Sequence, residues 1–171
     1  TNAYPELHLK PHYFRYVHQR YWQGEEGKEH ARDAVREFFL ELGWKPEDIP
    51  KNVSNHTFNQ KVSRFEWDLD SCIVHVYNSS PINAVIDGFP ELNLKPHYFS
   101  MAPINYWRGP EGRNNARDAT RELMSILGWS DEDMVKKITA ETFDIPILPF
   151  GAHLSGMRAI VYGDSPTDAI I

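Results

Sequence analysis

The chain has 171 residues, 41% of them apolar and 13% aromatic, five tryptophans among them; this is the composition of a folded protein and excludes a disordered one. The net charge is −6, with 12 acidic against 10 basic side chains up to Ile86 and 12 against 8 after it, which disfavours non-specific affinity for nucleic acid or anionic membranes. No apolar run approaches the ~18 residues that a membrane span needs, and the opening residues do not read as a secretory leader.

The stretch from Tyr21 to Trp44, YWQGEEGKEHARDAVREFFLELGW, returns 85 positions later as YWRGPEGRNNARDATRELMSILGW, Tyr106 to Trp129. Without a gap, about 36 of roughly 85 aligned positions are identical, which is self-similarity at a fixed period. The expected organisation is therefore two tandem units, residues 1–87 and 88–171, with the seam near Asp87 and Gly88. Thr1 aligns with Ile86, so the sequence begins and ends at one phase of the repeat. That phase predicts two units drawn from a longer array of stacked repeats.

Each unit opens on YPELHLKPHYF or FPELNLKPHYF, Tyr4 to Phe14 and Phe89 to Phe99. Two prolines impose extended or turn geometry, so the segment reads as a connector, with Pro11 and Pro96 able to start a short turn. The main helix follows, roughly Glu26 to Leu42 and Glu111 to Leu127. Ala31, Ala34 or Val35, Phe38 and Leu42 make its apolar stripe, matched by Ala116, Ala119, Leu123 and Leu127. Gly43 and Gly128 stand where a left-handed cap needs no Cβ, and Trp44 and Trp129 are placed to fold back onto the last turn. Lys28, Arg32 and Arg36, with Arg113, Arg117 and Arg121, form a basic stripe. Acidic neighbours at i, i+3, Glu29 with Arg32 and Asp33 with Arg36, predict a solvated face.

Beyond the cap, Pro46 and the Ser130/Asp133 pair each announce a short helix. Ser54 and Thr139 read as caps of a further helix that buries Phe58 and Phe143. Helical spacing then runs through Phe65, Leu69, Ile73 and Val76 or Tyr77. In the second unit it runs through Phe150, Leu154, Met157 and Val161 or Tyr162, with Gly163 as its stop. Ser80-Pro81 and Ser165-Pro166 open a last helix through Ala84-Val85 and Ala169-Ile170. The expected fold is all-α, two tandem repeats of a five- to six-helix unit without a substantial sheet. The expected core comprises Trp22, Phe38, Leu42, Gly43, Trp44 and Phe58, then Trp107, Leu123, Leu127, Gly128, Trp129 and Phe143. Cys72 aligns with Met157 and reads as a packing atom, which points to a reducing cytoplasm.

One segment has a composition suited to base edges and phosphates. A helix-turn-helix reading places a supporting helix at Pro46–Lys51 and a recognition helix from Asn55, presenting Asn55, His56, Asn59, Gln60, Lys61 and Arg64. In the second unit the same places hold Ala140, Glu141, Asp144, Ile145, Pro146 and Pro149, so the first unit alone is equipped for DNA. Of the eight histidines only His12 recurs, as His97, and no HExxH or CxxC spacing predicts a metal site. These two read as partly buried structural imidazoles. No glycine-rich phosphate loop or nucleophile elbow appears, and the carboxylates of Glu25-Glu26 and Asp131 to Asp133 read as helix caps.

The combination PELxLKPHYF, YWxGxEG, ARDAxRE, LGW and SPxxA resembles the roughly 85-residue tandem repeats of bacterial proteins from Bacillus-like Firmicutes and their prophages. It is similar to the domain-of-unknown-function family DUF4046. The resemblance covers the chain twice and implies a fold unit, with no catalytic residues to carry over. The expected function is a non-enzymatic helical-repeat binding or scaffold module without cofactor, its partner a protein. DNA binding through the Asn55 to Arg64 segment is the alternative, and neither a membrane nor a small-molecule ligand is indicated.

Overall fold

In the computed structural model, which describes residues 5–62 and 69–171, the described residues form seven α-helices joined by short 3-10 turns. They contain no strand, only an isolated bridge at Val62. The helices are α1 (Gly24–Leu42), α2 (Ile49–Asn52), α3 (Asp70–Tyr77), α4 (Pro81–Gly88), α5 (Gly109–Leu127), α6 (Asp131–Lys137) and α7 (Ser155–Tyr162). Among the described residues, no helix is long and apolar enough to cross a membrane.

The chain divides into two compact units, Thr1–Ile49 with Val53–Leu94, and Pro50–Asn52 with Lys95–Ile171. Asp87 and Gly88, where the sequence period restarts, lie inside the first of these compact units. The reason is visible in the first unit: Arg36 donates to the carbonyl of Gly88 and, at 2.6 Å, to Glu91. Phe89 packs edge-on against Phe39 with ring centroids 5.8 Å apart. The Gly88–Leu94 segment therefore belongs to the unit that precedes it.

Helix α1 is the spine of the first unit and α5 of the second. Each begins two residues before the expected start and ends at the expected glycine, with φ +69° at Gly43 and +65° at Gly128. The caps close as a left-handed turn should: Trp44 N–H donates to the Phe39 carbonyl and Trp129 N–H to that of Met124. Inside each helix a second glycine is required by space alone. A Cβ on Gly27 would lie 2.3 Å from the backbone carbon of Trp22, and one on Gly112 2.2 Å from that of Trp107. The helix thus receives the preceding chain against its own surface, and both tryptophans are buried there.

Alanines 31, 34, 116 and 119 are fully buried and let neighbouring elements approach these helices closely. Of the expected core, Trp22, Phe38, Phe58, Trp107, Leu123 and Phe143 are buried, while Leu42, Trp44, Leu127 and Trp129 are half-buried. Gly43 and Gly128 are exposed caps rather than core. The second unit's core adds Leu148, Leu154 and Met157, and the first adds Phe39, Ile49 and Val85. Each such fully buried side chain contributes on the order of 1.5–3 kcal/mol.

Four expected helices differ. No helix follows Ser54 or Thr139: the chain makes only the 3-10 turns Thr57–Asn59 and Ala140–Asp144. The hydroxyls of Thr57 and Thr142 fold back to accept from the N–H groups of Ser54 (2.8 Å) and Thr139 (3.1 Å). The carbonyls of Phe58 and Phe143, which would extend a helix, accept instead from Leu69 (3.0 Å) and Leu154 (2.8 Å). The helix expected from Phe150 starts only at Ser155, because Phe150 itself sits at φ +62° in a turn; Phe65 lies outside the described residues. At the last expected position, α4 forms with Ser80 as its cap, accepting from Asn83 N–H at 3.2 Å. Its counterpart after Pro166 closes turns only, Ser165 accepting from Asp168 N–H at 3.2 Å.

Candidate functional site

Two clusters of hydrogen-bonded titratable side chains stand out among the described residues, one in each unit. In the first, the turn Pro11–Tyr13 lays its side chains on α1. His12 Nε2 lies 3.1 Å from Glu37 Oε2 and its Nδ1 2.9 Å from the Tyr21 hydroxyl. Tyr13 donates to Glu37 at 2.8 Å, and Lys10 donates to the other carboxylate oxygen. In the second, the turn Pro96–Tyr98 does the same on α5. His97 bonds Glu122 and Tyr106 at 3.2 Å each, Lys95 reaches Glu122 at 2.8 Å, and Tyr98 donates to it.

The imidazoles are only 5% and 3% exposed, more buried than the sequence suggests. An ionised carboxylate only accepts, so Nε2 carries the ring proton and Nδ1 accepts from the tyrosine hydroxyl. Burial disfavours the imidazolium and lowers the pKa of both histidines, against an opposing pull from Glu37 or Glu122. Burial also acts on the two carboxylates, raising their pKa, but hydrogen bonds from the lysine, tyrosine and histidine outweigh it and hold both below the usual carboxylate value. Tyr21 is pushed up to about 12, chiefly by burial. The result is a neutral imidazole and an ionised carboxylate whose ring nitrogens and oxygens are taken up by one another. Such a cluster ties the connector to the helix; neither ring nitrogen is left for a substrate. Among the described residues, no group of three histidine, cysteine or acidic side chains is placed to hold a metal.

The residues expected to read DNA do not share a helix. Asn55, His56, Asn59, Gln60 and Lys61 are exposed along a loop with one 3-10 turn, and Arg64 lies outside the described residues. A loop of this kind cannot seat in the major groove as a recognition helix does.

The basic stripe is where the structure departs most from the sequence reading. Lys28 pairs with Glu25 at 3.1 Å, but Arg32 and Arg36 do not pair within the helix. Arg32 donates from Nε to the Asp87 carbonyl (3.1 Å) and from Nη2 to Asp87 Oδ1 (2.8 Å), while Tyr77 donates to Oδ2 (2.9 Å). Burial first, and then the Asp87 carboxylate, hold the Tyr77 phenol above its ordinary value. Together with the Arg36 bonds to Gly88 and Glu91, this makes a clamp on the acidic turn Asp87-Gly88-Phe89-Pro90-Glu91.

In the second unit, Arg113, Arg117 and Arg121 line an open groove of about 760 Å³ with Thr120, Met124, Met134, Tyr162 and the terminal Ile170 and Ile171. Neither a protein-family model, nor a curated protein, nor a solved structure matches the chain. The geometry therefore carries the functional reading. Here Arg121 has only a 3.8 Å pair with Asp118, and Arg117 makes no ion pair among the described residues. The hydroxyl oxygen of Thr120, a residue 4% exposed, has no hydrogen-bond partner among them either. The sequence held one sign of these sites, the recurrence of RDAxRE and of Tyr77 as Tyr162. That recurrence reads equally well as a solvated face until the partner segment is located.

Proposed function

We propose that the protein is a non-enzymatic tandem-repeat helical module, two units offset by 85 residues, that binds a protein partner. The observation that carries this reading is the open groove of the second unit, whose lining combines three arginines with methionine, valine and isoleucine side chains. A mixed basic and apolar lining suits a polypeptide, which offers carboxylates and apolar side chains together, better than it suits bare phosphate. The paired histidine clusters support a structural role for the most perturbed groups, because the same geometry recurs in both units with its polar atoms satisfied. The net charge of −6 supports protein over nucleic acid as partner. Cys72, a buried free thiol pushed up to about 12 by burial, suits a reducing cytoplasm.

The test has two arms. Labelled duplex DNA is titrated with the protein at roughly 50 and 200 mM salt, and the protein is used to capture partners that are then cross-linked and mapped. A saturable protein complex without DNA binding is the expected result. DNA binding with a linear log–log salt dependence, and no protein complex, would overturn the reading.

A further inference from the structure

The first unit already contains a worked example of what its arginine face binds. Arg32, Arg36 and Tyr77 hold the turn Asp87-Gly88-Phe89-Pro90-Glu91 through both carboxylates and two backbone carbonyls. Phe89 is seated on Phe39, and the Arg36 guanidinium lies 5.7 Å from the Phe89 ring centroid. Gly88 is buried against Val35: a Cβ there would lie 2.8 Å from Val35 Cγ1. At the same spacing the second unit presents Arg117, Arg121, Tyr162, Met124 and Thr120, all lining the open groove. The clamp residues thus recur around an open groove.

We infer that the groove bounded by Arg117, Arg121, Thr120 and Tyr162 is a peptide-docking site for an acidic turn of the Asp-Gly-aromatic-Pro-Glu kind carried by another polypeptide. Arg117 takes the aspartate and Arg121 the glutamate, as Arg32 and Arg36 do within the first unit. The aromatic ring lies on Met124, a soft side chain able to reshape around it. Charge complementarity and the seated internal example both favour this occupant. The buried Thr120 hydroxyl is the independent sign of a ligand: it is a polar atom of a groove-lining residue, without a hydrogen-bond partner among the described residues, beside the place where the peptide's glycine and its carbonyl would pass. Valine occupies this position in the filled first unit, so the hydroxyl is an added donor for the incoming backbone.

This inference rests on the protein-binding reading and gives that partner its chemistry. A dye-labelled peptide with the sequence of residues 87–93, DGFPELN, is titrated with the full chain by fluorescence anisotropy. The expected result is saturable binding that weakens with salt. Affinity should fall about tenfold or more on Arg117→Ala with Arg121→Ala, and by a similar factor when the peptide carries Asn and Gln for its Asp and Glu. The peptide variant alters no residue of the protein, so a folding defect cannot mimic it. Both arginines are exposed, and unchanged circular dichroism of the double variant completes the control. No binding at low salt overturns the inference, as does competition by duplex DNA. Self-association in sedimentation with no peptide binding also overturns it, since a second copy then fills the groove. If a captured partner still binds the Arg117→Ala, Arg121→Ala variant, the protein-binding reading stands and this site falls.

Discussion

Arg32 and Asp87, 55 positions apart, are joined by two hydrogen bonds, one to the side chain at 2.8 Å and one to the backbone carbonyl at 3.1 Å. That pair fixes the end of α4 onto α1, and Tyr77 completes it from α3 at 2.9 Å. Replacing Asp87 with Ala should cost about 1–3 kcal/mol in urea unfolding, the usual loss when charge-assisted bonds at a partly buried site are removed. Tyr77→Phe should then add little in that background, because the two changes share one partner. Full additivity would show that the phenol and the arginine act separately.

The histidine clusters set an acid limit. Both imidazoles have lowered pKa values in the fold against an ordinary 6.5, so below about pH 6.5 the unfolded chain binds protons that the folded chain refuses. Stability is therefore full above that pH and falls as pH drops, by up to about 1.4 kcal/mol per pH unit for each histidine. The lowered carboxylates, Glu37 and Glu122, extend the loss below their ordinary 4.5. Denaturant midpoints measured across this range should trace the decline, and the His12→Gln, His97→Gln pair should flatten its upper part. A profile that stays level to pH 5 would contradict the buried, neutral imidazoles.

Glycine substitutions divide by what surrounds them. Gly27→Ala and Gly112→Ala each drive a methyl into tryptophan backbone within 2.3 Å, and backbone cannot rotate aside as a side chain can. Each should destabilise by roughly 1–3 kcal/mol despite alanine's better helix propensity. Gly156→Ala, in α7 with no atom within 4 Å of the new methyl, should instead stabilise by about 0.4–1 kcal/mol. Thermal melts of the three variants separate the cases.

Thr120→Val removes a buried hydroxyl that lacks a partner among the described residues and installs the residue found at position 35. The free protein should gain about 1 kcal/mol, read as a rise in melting temperature. Its affinity for the DGFPELN peptide should decline. A variant that melts earlier would mean that the hydroxyl is satisfied in solution.

Much of the fold was legible because it rests on local chemistry. The glycine-tryptophan stops of α1 and α5 and the Ser130/Asp133 box of α6 are signals contained within a few residues. The helix expected after Ser54 failed for a reason outside the segment: the Phe58 carbonyl, which would extend it, accepts instead from Leu69 N–H at 3.0 Å, and the chain closes only a 3-10 turn. The clamp on Asp87 was not legible. Arg32 has acidic neighbours on its own helix, and only the tertiary fold brings Asp87 closer than any of them. The first compact unit runs past Asp87 for the same cause, since sequence period marks where a pattern restarts and not which helix holds the residues that follow.

The imidazole of His12 faces the indole of Trp22 at an interplanar angle of 28°, 6.3 Å between ring centroids, and His97 stands 6.1 Å from Trp107. A protonated imidazole quenches indole emission and a neutral one does so far less. Two of the five tryptophans therefore sit beside a built-in proton gauge. Their light should be bright at neutral pH and dim in acid, so the ionisation of the buried histidines can be followed optically without a label.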